Sequence, residues 1–417
     1  MSLFDAVQDD HQSWARLGDS YEITRKPRGL DMGSVPEIPF APMEAIPQGG
    51  EYSPKYTMRE PGKVGSGTYF ERGDILVSKI TPSFENGKQA LTMELPIPFG
   101  FATTEVIPIR PRQAGHDTRL MFFYLLHPDV RHHVAERMEG TTGRQRVPQE
   151  VLLDLPVPQF SPEDQTVMAD SLEMIHRRIS VETDSVEAAQ ALKRTAMETL
   201  FTRGLRGEPQ KETEIGPVPE SWEVSTLGES AQLERGRFMH RPRNEPRFYG
   251  GTTPFVQTGD VVRSGGRIRE FTQTLNEEGV AISRVFPAGT ILITIAANIG
   301  FTGILDFASA CPDSLVAITP DSSVATEFLE YYLQTQQEQM DRFAPKGTQK
   351  NINIQFLRPW PIVIPPDDEQ RKIVAILDAI DRKIALHRRK RDVLDELFKS
   401  LLHKLMTGEI RVGELAS

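Results

Sequence analysis

The chain of 417 residues contains very little cysteine, and this shortage already excludes several kinds of site. Cys311 is the only cysteine, so an internal disulfide and any zinc or iron–sulfur site built from cysteines are excluded. A single cysteine fits a reducing compartment, and we expect a cytoplasmic protein. The first residues, MSLFDAVQDDHQSW, are acidic and therefore unlike a secretory or mitochondrial targeting segment.

Long apolar runs are also scarce. The longest stretch without a charged residue, from Val285 to Leu305, is long enough to suggest a membrane span. It is interrupted by Pro287, Asn298 and several glycines, however, and its first half has the alternating sequence Ile-Leu-Ile-Thr-Ile. The pattern predicts two short strands around a Gly/Asn turn and no membrane association.

The chain has no excess of positive charge. With 48 Lys and Arg against 58 Asp and Glu, its net charge is −10, whereas a protein that coats DNA non-specifically should be basic. The charge is unevenly distributed, because residues 235–247 carry five arginines and one glutamate. One surface can therefore be basic while another is acidic.

An internal repeat is the strongest feature of the sequence. Residues 165–204 correspond to residues 370–409 at a constant offset of 205, without a gap. Both stretches follow a proline-rich segment with acidic residues and run without proline or glycine to Gly204 and Gly408, which are typical helix stops. Apolar residues recur at alternating spacings of three and four, so each stretch predicts a long amphipathic helix. We expect these residues to form the coiled-coil seam: Leu172, Ile175, Ile179 and Leu200 in the first copy, and Leu377, Ile380, Ile384 and Leu405 in the second.

The repeat continues upstream with variable offsets. Residues 73–80 (GDILVSKI) correspond to residues 289–296 (GTILITIA), and both read as strands. Residues 118–138 and 325–343 each read as one helix. We therefore predict an α+β fold in which two similar α/β domains are joined by two long antiparallel coiled-coil helices, with internal pseudo-two-fold symmetry. The predicted boundaries are domain one at 1–160, central helix at 161–204, linker at 205–221, domain two at 222–364, distal helix at 365–410 and tail at 411–417.

This layout resembles the specificity (S) subunit of a type I restriction–modification enzyme. The resemblance rests on the helix openings Pro365-Pro-Asp-Asp-Glu-Gln370 and Ser161-Pro-Glu-Asp-Gln165, on the helix ends Leu405-Met-Thr-Gly408 and Leu200-Phe-Thr-Arg-Gly204, and on the run Gly347-Thr-Gln-Lys-Asn-Ile352. The first copy departs from that run and reads Gly143-Arg-Gln-Arg-Val147.

The resemblance implies that each globular part is a target recognition domain for one half of a split, asymmetric DNA site. It further implies that the helices form an antiparallel spacer and hold methyltransferase (modification) subunits, two of them. Restriction/translocase subunits would join through the complex. Independently of the resemblance, two similar readers on rigid helices suit a target with two separated halves.

Catalytic motifs are missing from the sequence. We find neither the glycine-rich loop and Asn/Asp-Pro-Pro-aromatic run of a methyltransferase nor the Gly-x-x-x-x-Gly-Lys-Ser/Thr loop of a motor. His132 and His133 with Asp129 could suggest a metal, but adjacent residues on a helix do not face each other. We therefore expect no cofactor, no metal and no catalysis by this chain.

Proteins that recognise DNA sequence contact guanine edges with Arg and Lys and adenine edges with Asn and Gln. Additional Arg, Lys, Ser and Thr side chains contact the phosphates. Such residues cluster in predicted loops. The candidates for DNA binding are Lys79, Ser83, Asn86, Lys88, Arg144, Gln145 and Arg146 in domain one, and Arg237, Arg241, Arg243, Asn298, Lys346, Thr348, Gln349 and Lys350 in domain two. Each could instead be a solvated loop residue, and Gly347-Thr-Gln could brace the domain against its helix.

Two other functions stay open from the sequence. A coiled-coil adaptor or scaffold with two protein-binding domains would have the same layout. A free-standing nuclease would need a cluster of carboxylates on strands, and Asp74 is the one strand acid that we can name. Thr290 replaces Asp74 in the second copy.

Overall fold

The computed structural model describes residues 2–5, 13–48, 52, 54–141, 143–240, 244–345 and 350–414. The chain divides into two compact units. The first unit comprises residues 1–186 and 386–417, and the second comprises residues 187–385. Each unit therefore contains one α/β domain and a segment of each long helix. The domain boundaries given from the sequence stay a prediction.

The first unit contains short strands that form two four-stranded sheets and two strand pairs. The strands are β1 (Trp14–Arg16), β2 (Tyr21–Ile23), β3 (Ile38–Ala41), β4 (Thr57–Arg59), β5 (Thr68–Glu71), β6 (Ile75–Ser78), β7 (Gln89–Leu91), β8 (Phe99–Ala102), β9 (Val106–Pro111), β10 (Glu139–Thr141), β11 (Arg144–Arg146) and β12 (Pro156–Pro158). The sheet orders are β2-β9-β6-β7 and β4-β3-β8-β5, and β1 pairs with β12 while β10 pairs with β11.

The helices of the first unit are short apart from the first long helix. They are α1 (Leu17–Ser20), α2 (Thr118–Tyr124), α3 (Pro128–Ala135), α4 (Gln149–Leu153) and α5 (Pro162–Arg203), with 3-10 turns at Met32–Ser34, Met43–Ala45, Pro61–Lys63 and Val412–Glu414. The single helix expected over 118–138 is wrong. Pro128 lacks a backbone N–H and disfavours helical geometry at the residue before it, so α2 ends and α3 begins with Pro128 as its first residue.

The second unit repeats this arrangement with additions. Its strands are β13 (Gln210–Thr213), β14 (Gly216–Pro219), β15 (Glu223–Thr226), β16 (Ala231–Arg235), β17 (Tyr249–Phe255), β18 (Gly266–Ile268), β19 (Gln273–Leu275), β20 (Val285–Phe286), β21 (Ile291–Thr294), β22 (Thr302–Leu305), β23 (Ser309–Ala310), β24 (Leu315–Pro320) and β25 (Pro361–Ile364). Its helices are α6 (Leu227–Ser230), α7 (Thr258–Arg263), α8 (Glu277–Ala281), α9 (Thr326–Phe343), α10 (Ile354–Leu357) and α11 (Asp367–Met406), with a 3-10 turn at Pro246–Phe248.

The sheet orders of the second unit match those of the first, apart from one added strand. They are β16-β24-β21-β22-β18 and β19-β17-β23-β20. The register is repeated as well, because Ile75 pairs with Ile109 in the first unit and Ile291 pairs with Ile318 in the second. Strand β18 has no counterpart in the first unit. The stretch expected to be a linker contains the hairpin β13–β14.

The charge-free run folds as the sequence predicted, with β21 and β22 as antiparallel neighbours. The turn between them uses the left-handed region at Ala297, with φ of 65°, and at Gly300, with φ of 81°. None of the described helices has the length and apolar character that a membrane span requires.

The two long helices run antiparallel within each unit. In the first unit, the ring of His176 on α5 lies 5.8 Å from that of Phe398 on α11, and Glu182 lies beside His387. In the second unit, the Lys193 ammonium donates to the Asp381 carboxylate at 2.8 Å. Both helices end as expected at glycines with positive φ, 62° at Gly204 and 74° at Gly408.

The expected seam residues lie at the inner face of these helices. Leu172 and Leu377 are fully buried, and Leu200, Ile384 and Leu405 are also buried. Ile175, Ile179 and Ile380 are partly buried against the same apolar clusters. Because the clusters include domain residues such as Phe123 and Phe328, each helix segment belongs to the core of a domain.

Candidate nucleic-acid interface

In the first unit, two segments that carry DNA-binding candidates lie side by side. The loop after β6 meets the hairpin β10–β11 through an isolated bridge between Ile80 and Arg146. The backbone N–H of Thr81 donates to the Gln145 carbonyl at 3.1 Å, and that of Val147 donates to the Lys79 carbonyl at 2.8 Å. The structure thus joins residues that are more than sixty positions apart in the sequence.

The second unit joins the corresponding segments in the same way. Ala296, in the turn after β21, forms an isolated bridge with Asn351. The backbone N–H of Ile352 donates to the Ile295 carbonyl at 2.9 Å. The exposed Asn298 and the half-buried Lys350 therefore belong to one surface.

The candidates of the first unit differ in how available their side chains are. Arg144 and Asn86 are exposed. Arg146 is also exposed but forms a two-pronged ion pair with Glu105, with N–O distances of 2.8 and 3.0 Å. This guanidinium holds the pKa of the Glu105 carboxyl below its ordinary value. The Lys88 ammonium donates to the Met43 carbonyl at 3.0 Å and so is engaged within the domain.

The remaining candidates of the first unit, Lys79, Ser83 and Gln145, are half-buried. In the second unit, the Lys350 ammonium pairs with Asp341 at 2.7 Å. The exposed Arg237 donates to the Ser283 carbonyl at 2.9 Å. Five candidates lie outside the described residues, namely Arg241, Arg243, Lys346, Thr348 and Gln349.

A matched glutamine fastens each long helix to its domain, which the sequence did not reveal. In the first unit, the Gln165 amide oxygen accepts the backbone N–H of Asp117 at 3.0 Å. Its amide nitrogen donates to the Phe160 carbonyl at 3.1 Å. The side chain thus joins the start of α5 to the loop before α2.

The second copy has the same clamp. The Gln370 amide oxygen accepts the backbone N–H of Ala325 at 2.8 Å, and its nitrogen donates to the Pro365 carbonyl at 2.9 Å. The preceding Glu369 is buried and accepts the backbone N–H of Leu205 at 2.7 Å. Gln165 and Gln370 occupy matched positions of the helix-opening motifs. This shared glutamine was the feature of the sequence that could have indicated the clamp.

Three possible metal ligands lie together in the first unit, although they are not the set considered from the sequence. The side chains of His127, Asp129 and His403 approach within 4.8 Å of one another. The His127 Nδ1 accepts the backbone N–H of Asp129 at 3.1 Å, so a neutral His127 carries its proton on Nε2. That Nε2 lies 3.2 Å from His403 Nδ1, as an N–H···N hydrogen bond requires. The tautomer therefore opposes a metal at Nε2.

Asp74, the carboxylate that a nuclease would need, has a structural position. It is buried, and its Oδ2 accepts the backbone N–H of Glu71 at 2.8 Å. Burial raises its pKa to about 6, against the lowering effect of that hydrogen bond. Through this hydrogen bond, Asp74 stabilises the turn before β6.

The fold and these surfaces define a class: a chain of two α/β domains that each carry a polar loop surface and are built onto an antiparallel helix pair. Residues 219–396 match the family model of the type I restriction modification DNA specificity domain. A Methanocaldococcus jannaschii protein, provisionally named the type I restriction enzyme MjaX specificity subunit, is 26% identical over 82% of this chain and 79% of its own length. The MjaIX specificity subunit of the same organism is 28% identical over 48% of each chain.

Two solved structures share the fold. One, from work on complex assembly and conformational transition of the type I R-M system, has 21% identity and a TM-score of 0.58 over 96% of this chain and 99% of that one. The S subunit of a type I restriction–modification system from M. genitalium has 16% identity and a TM-score of 0.58 over 96% and 97%. These two structures show the shared fold, and the match of residues 219–396 together with the curated relatives confirms the resemblance to type I specificity subunits.

Proposed function

We propose that the chain reads a bipartite, asymmetric DNA site, one half with each domain. The repeated junction of two loop segments supports this reading, because both units build it at the same place in the fold. The side chains on the two junctions differ: Arg144 and Arg146 stand on one, and Asn298 and Lys350 on the other. Different side chains at equivalent places suit two different half-sites.

The test is to map methylated sites in the host genome with and without this gene and then to bind the purified complex to the mapped duplex. DNA binding should weaken steeply with salt, with log K falling by roughly 0.9 per log unit of salt for each phosphate contact. The alternative function, an adaptor with two protein-binding domains, needs no such dependence. Unchanged methylation together with salt-independent binding would contradict DNA reading.

The two domains should read independently. Exchange of residues 222–360 for the equivalent part of a related chain should change one half-site and preserve the other. Duplexes with either half scrambled measure this directly. A change in both halves would mean that recognition is not modular.

An apolar stripe on the helices of the first unit supports docking of methyltransferase subunits there. Val167, Met174 and Val181 recur every seven residues on α5 and are 37%, 70% and 49% exposed. Leu386 and Val393 on α11 are 51% and 57% exposed. Residues spaced by seven lie on one side of a helix, and a run of exposed apolar residues is typical of an interaction surface.

Lysine at both Leu386 and Val393 should abolish co-purification with the modification subunit while DNA binding by the chain is retained. Glu396→Lys, at an exposed position of the same helix, is the control for an added positive charge. Undiminished co-purification of the double variant would rule out docking at the stripe. In this proposal, the restriction subunits join the complex through the modification subunits.

We infer that chemistry resides in those partner subunits. The specificity subunits that resemble this chain and the missing catalytic motifs support this division of roles. The purified chain should neither cut nor methylate DNA with Mg²⁺, ATP and a methyl donor present. Metal-dependent cleavage that is lost on Asp74→Asn would favour a nuclease instead.

A further inference from the structure

The loop after β6 is anchored by the buried Phe84 ring, whereas its tip borders open space. Glu85, Asn86 and Gly87 border an open cleft of about 740 Å³, whose walls include Arg131 and Leu126. Backbone hydrogen bonds close the loop locally, for example from the Lys88 N–H to the Ser83 carbonyl at 3.0 Å. Polar contacts near the tip therefore add to the buried Phe84 ring and to the bridge between Ile80 and Arg146 in fixing the position of the loop.

A buried arginine makes these contacts. Arg131 on α3 is 7% exposed, and its Nη1 donates to the Phe84 carbonyl at 2.8 Å. Its guanidinium lies 4.6 Å from the centroid of the Phe84 ring, and its Nη2 donates to Gln89. Gln89 in turn donates to the Phe122 carbonyl at 2.6 Å. The arginine thus holds the middle of the loop and the start of the following strand to the helical layer.

Neutral acceptors hold the Arg131 guanidinium, and the charge of Glu85 opposes the effect of burial on its pKa. None of the hydrogen bonds described for Arg131 goes to a carboxylate, and burial lowers its pKa to about 9. Burial of a charge without a hydrogen-bonded ionic partner is unfavourable, and the hydrogen bonds to Phe84 and Gln89 offset part of this cost. The burial of the guanidinium is therefore tied to the position of the loop that supplies its acceptors.

The second unit braces its corresponding loop by different chemistry. Gln337 lies on α9. This helix follows β24 in the second unit, just as α2 and α3 follow β9 in the first. Its side-chain amide donates to the Ile299 carbonyl at 2.8 Å, in the turn after β21. At Gly300, φ is 81° and the Gln337 Cα lies 3.2 Å from where a Cβ would stand, so loop and helix are in close contact.

We propose that Arg131 and Gln337 are positioning residues that determine specificity, each by fixing the shape of one DNA-reading loop. This inference rests on the proposed function. Ser83 and Asn86 flank the carbonyl that Arg131 holds, and Asn298 precedes the carbonyl that Gln337 holds. Base readout depends on the position of donors and acceptors to within a hydrogen-bond length, so a displaced loop loses discrimination before it loses phosphate contacts.

The experiment compares Arg131→Met and Gln337→Met in the full chain with its modification subunit. Binding is measured to the mapped duplex and to duplexes with one half-site scrambled. Each variant should lose roughly tenfold or more of its discrimination at one half-site and keep it at the other, and the two affected halves should differ. Each variant is thus the control for the other. Arg131→Lys, which keeps a donor but not the fork, should fall between wild type and Arg131→Met.

Melting temperature provides the second readout. Arg131→Met removes a buried cation but leaves the Phe84 carbonyl and the Gln89 side-chain oxygen without their donor, so the variant should melt below wild type while staying folded at the temperature of the binding assay. Wild-type-like discrimination at both halves in folded Arg131→Met would overturn the inference while the proposed function stands. An equal loss at both halves would also overturn it. If the wild-type chain itself discriminates neither half, the proposed function fails instead. If Arg131→Met does not fold, Gln337→Met and Arg131→Lys decide by the same criterion.

Discussion

The Glu182 carboxylate and the His387 imidazole lie 2.6 Å apart, and the two residues are repeat counterparts, separated by 205 positions. When two copies of one helix pair in antiparallel fashion, equivalent residues meet only at the midpoint of the paired region. The Glu182 side chain is 2% exposed and that of His387 is 17% exposed. A buried polar pair therefore interrupts the apolar seam at the point where the two counterparts meet.

The first prediction concerns acid stability. The hydrogen bond with His387, followed by the charges of Arg178 and Lys390, holds the pKa of Glu182 below its ordinary value. The stabilisation is therefore present above the unfolded-state pKa, about 4.5, and is lost as the pH falls through the lower folded-state value.

Glu182→Gln should melt below wild type at neutral pH, and the difference should shrink as the pH falls below about 4.5. Glu396→Gln, at an exposed position, is the control for the loss of one negative charge. Melting curves of the three proteins across this range measure the effect. A pH-independent difference would contradict the pairing.

The second prediction concerns the buried seam. Leu377 is fully buried in the core of the second unit, so Leu377→Ala should lower the free energy of unfolding by about 2–5 kcal/mol. Leu386→Ala on the same helix, where the side chain is 51% exposed, should change it by less than about 0.5 kcal/mol. Denaturant titrations give both values. Equal effects would mean that Leu377 is not a core residue.

The third prediction concerns the glutamine clamps. Gln370→Ala leaves the backbone N–H of Ala325 without its side-chain acceptor, at a cost of about 1–3 kcal/mol. Gln165→Ala should act in the same way on Asp117 in the first unit. Hydrogen exchange should become faster at Ala325 in the first variant and at Asp117 in the second. Unaltered exchange at both amides would rule out the clamp.

The fourth prediction concerns spacing. Deletion of one heptad from both α5 and α11 shortens each helix by about 10 Å, which corresponds to about three base pairs. The preferred gap between half-sites should change, or specific binding should be abolished. Binding to duplexes with a series of gap lengths tests this. A folded variant with an unchanged preferred gap would exclude the helices as the spacer.

The sequence by itself determined the features that depend on local periodicity. The offset of 205, the apolar spacing of three and four and the terminal glycines predicted both long helices, because helix geometry fixes which residues share a face. The strands at 75–78 and 291–294 and the turn after β21 followed from alternation and from glycine and asparagine in the same way. The break at Pro128 was missed, within a segment that reads as a single amphipathic helix, and so was the hairpin β13–β14 in the expected linker.

Tertiary structure alone decided which distant residues meet. Bridges such as Ile80 to Arg146 link backbone groups, and backbone pairing leaves no mark on the choice of side chains. It also decided that Lys88 and Arg146 are held by partners within the domain, while Arg144 and Asn86 stay exposed. Arg131 stands beside polar residues on α3, yet it is buried beneath the loop. A charge can be read from sequence, but its burial depends on what the rest of the chain places over it.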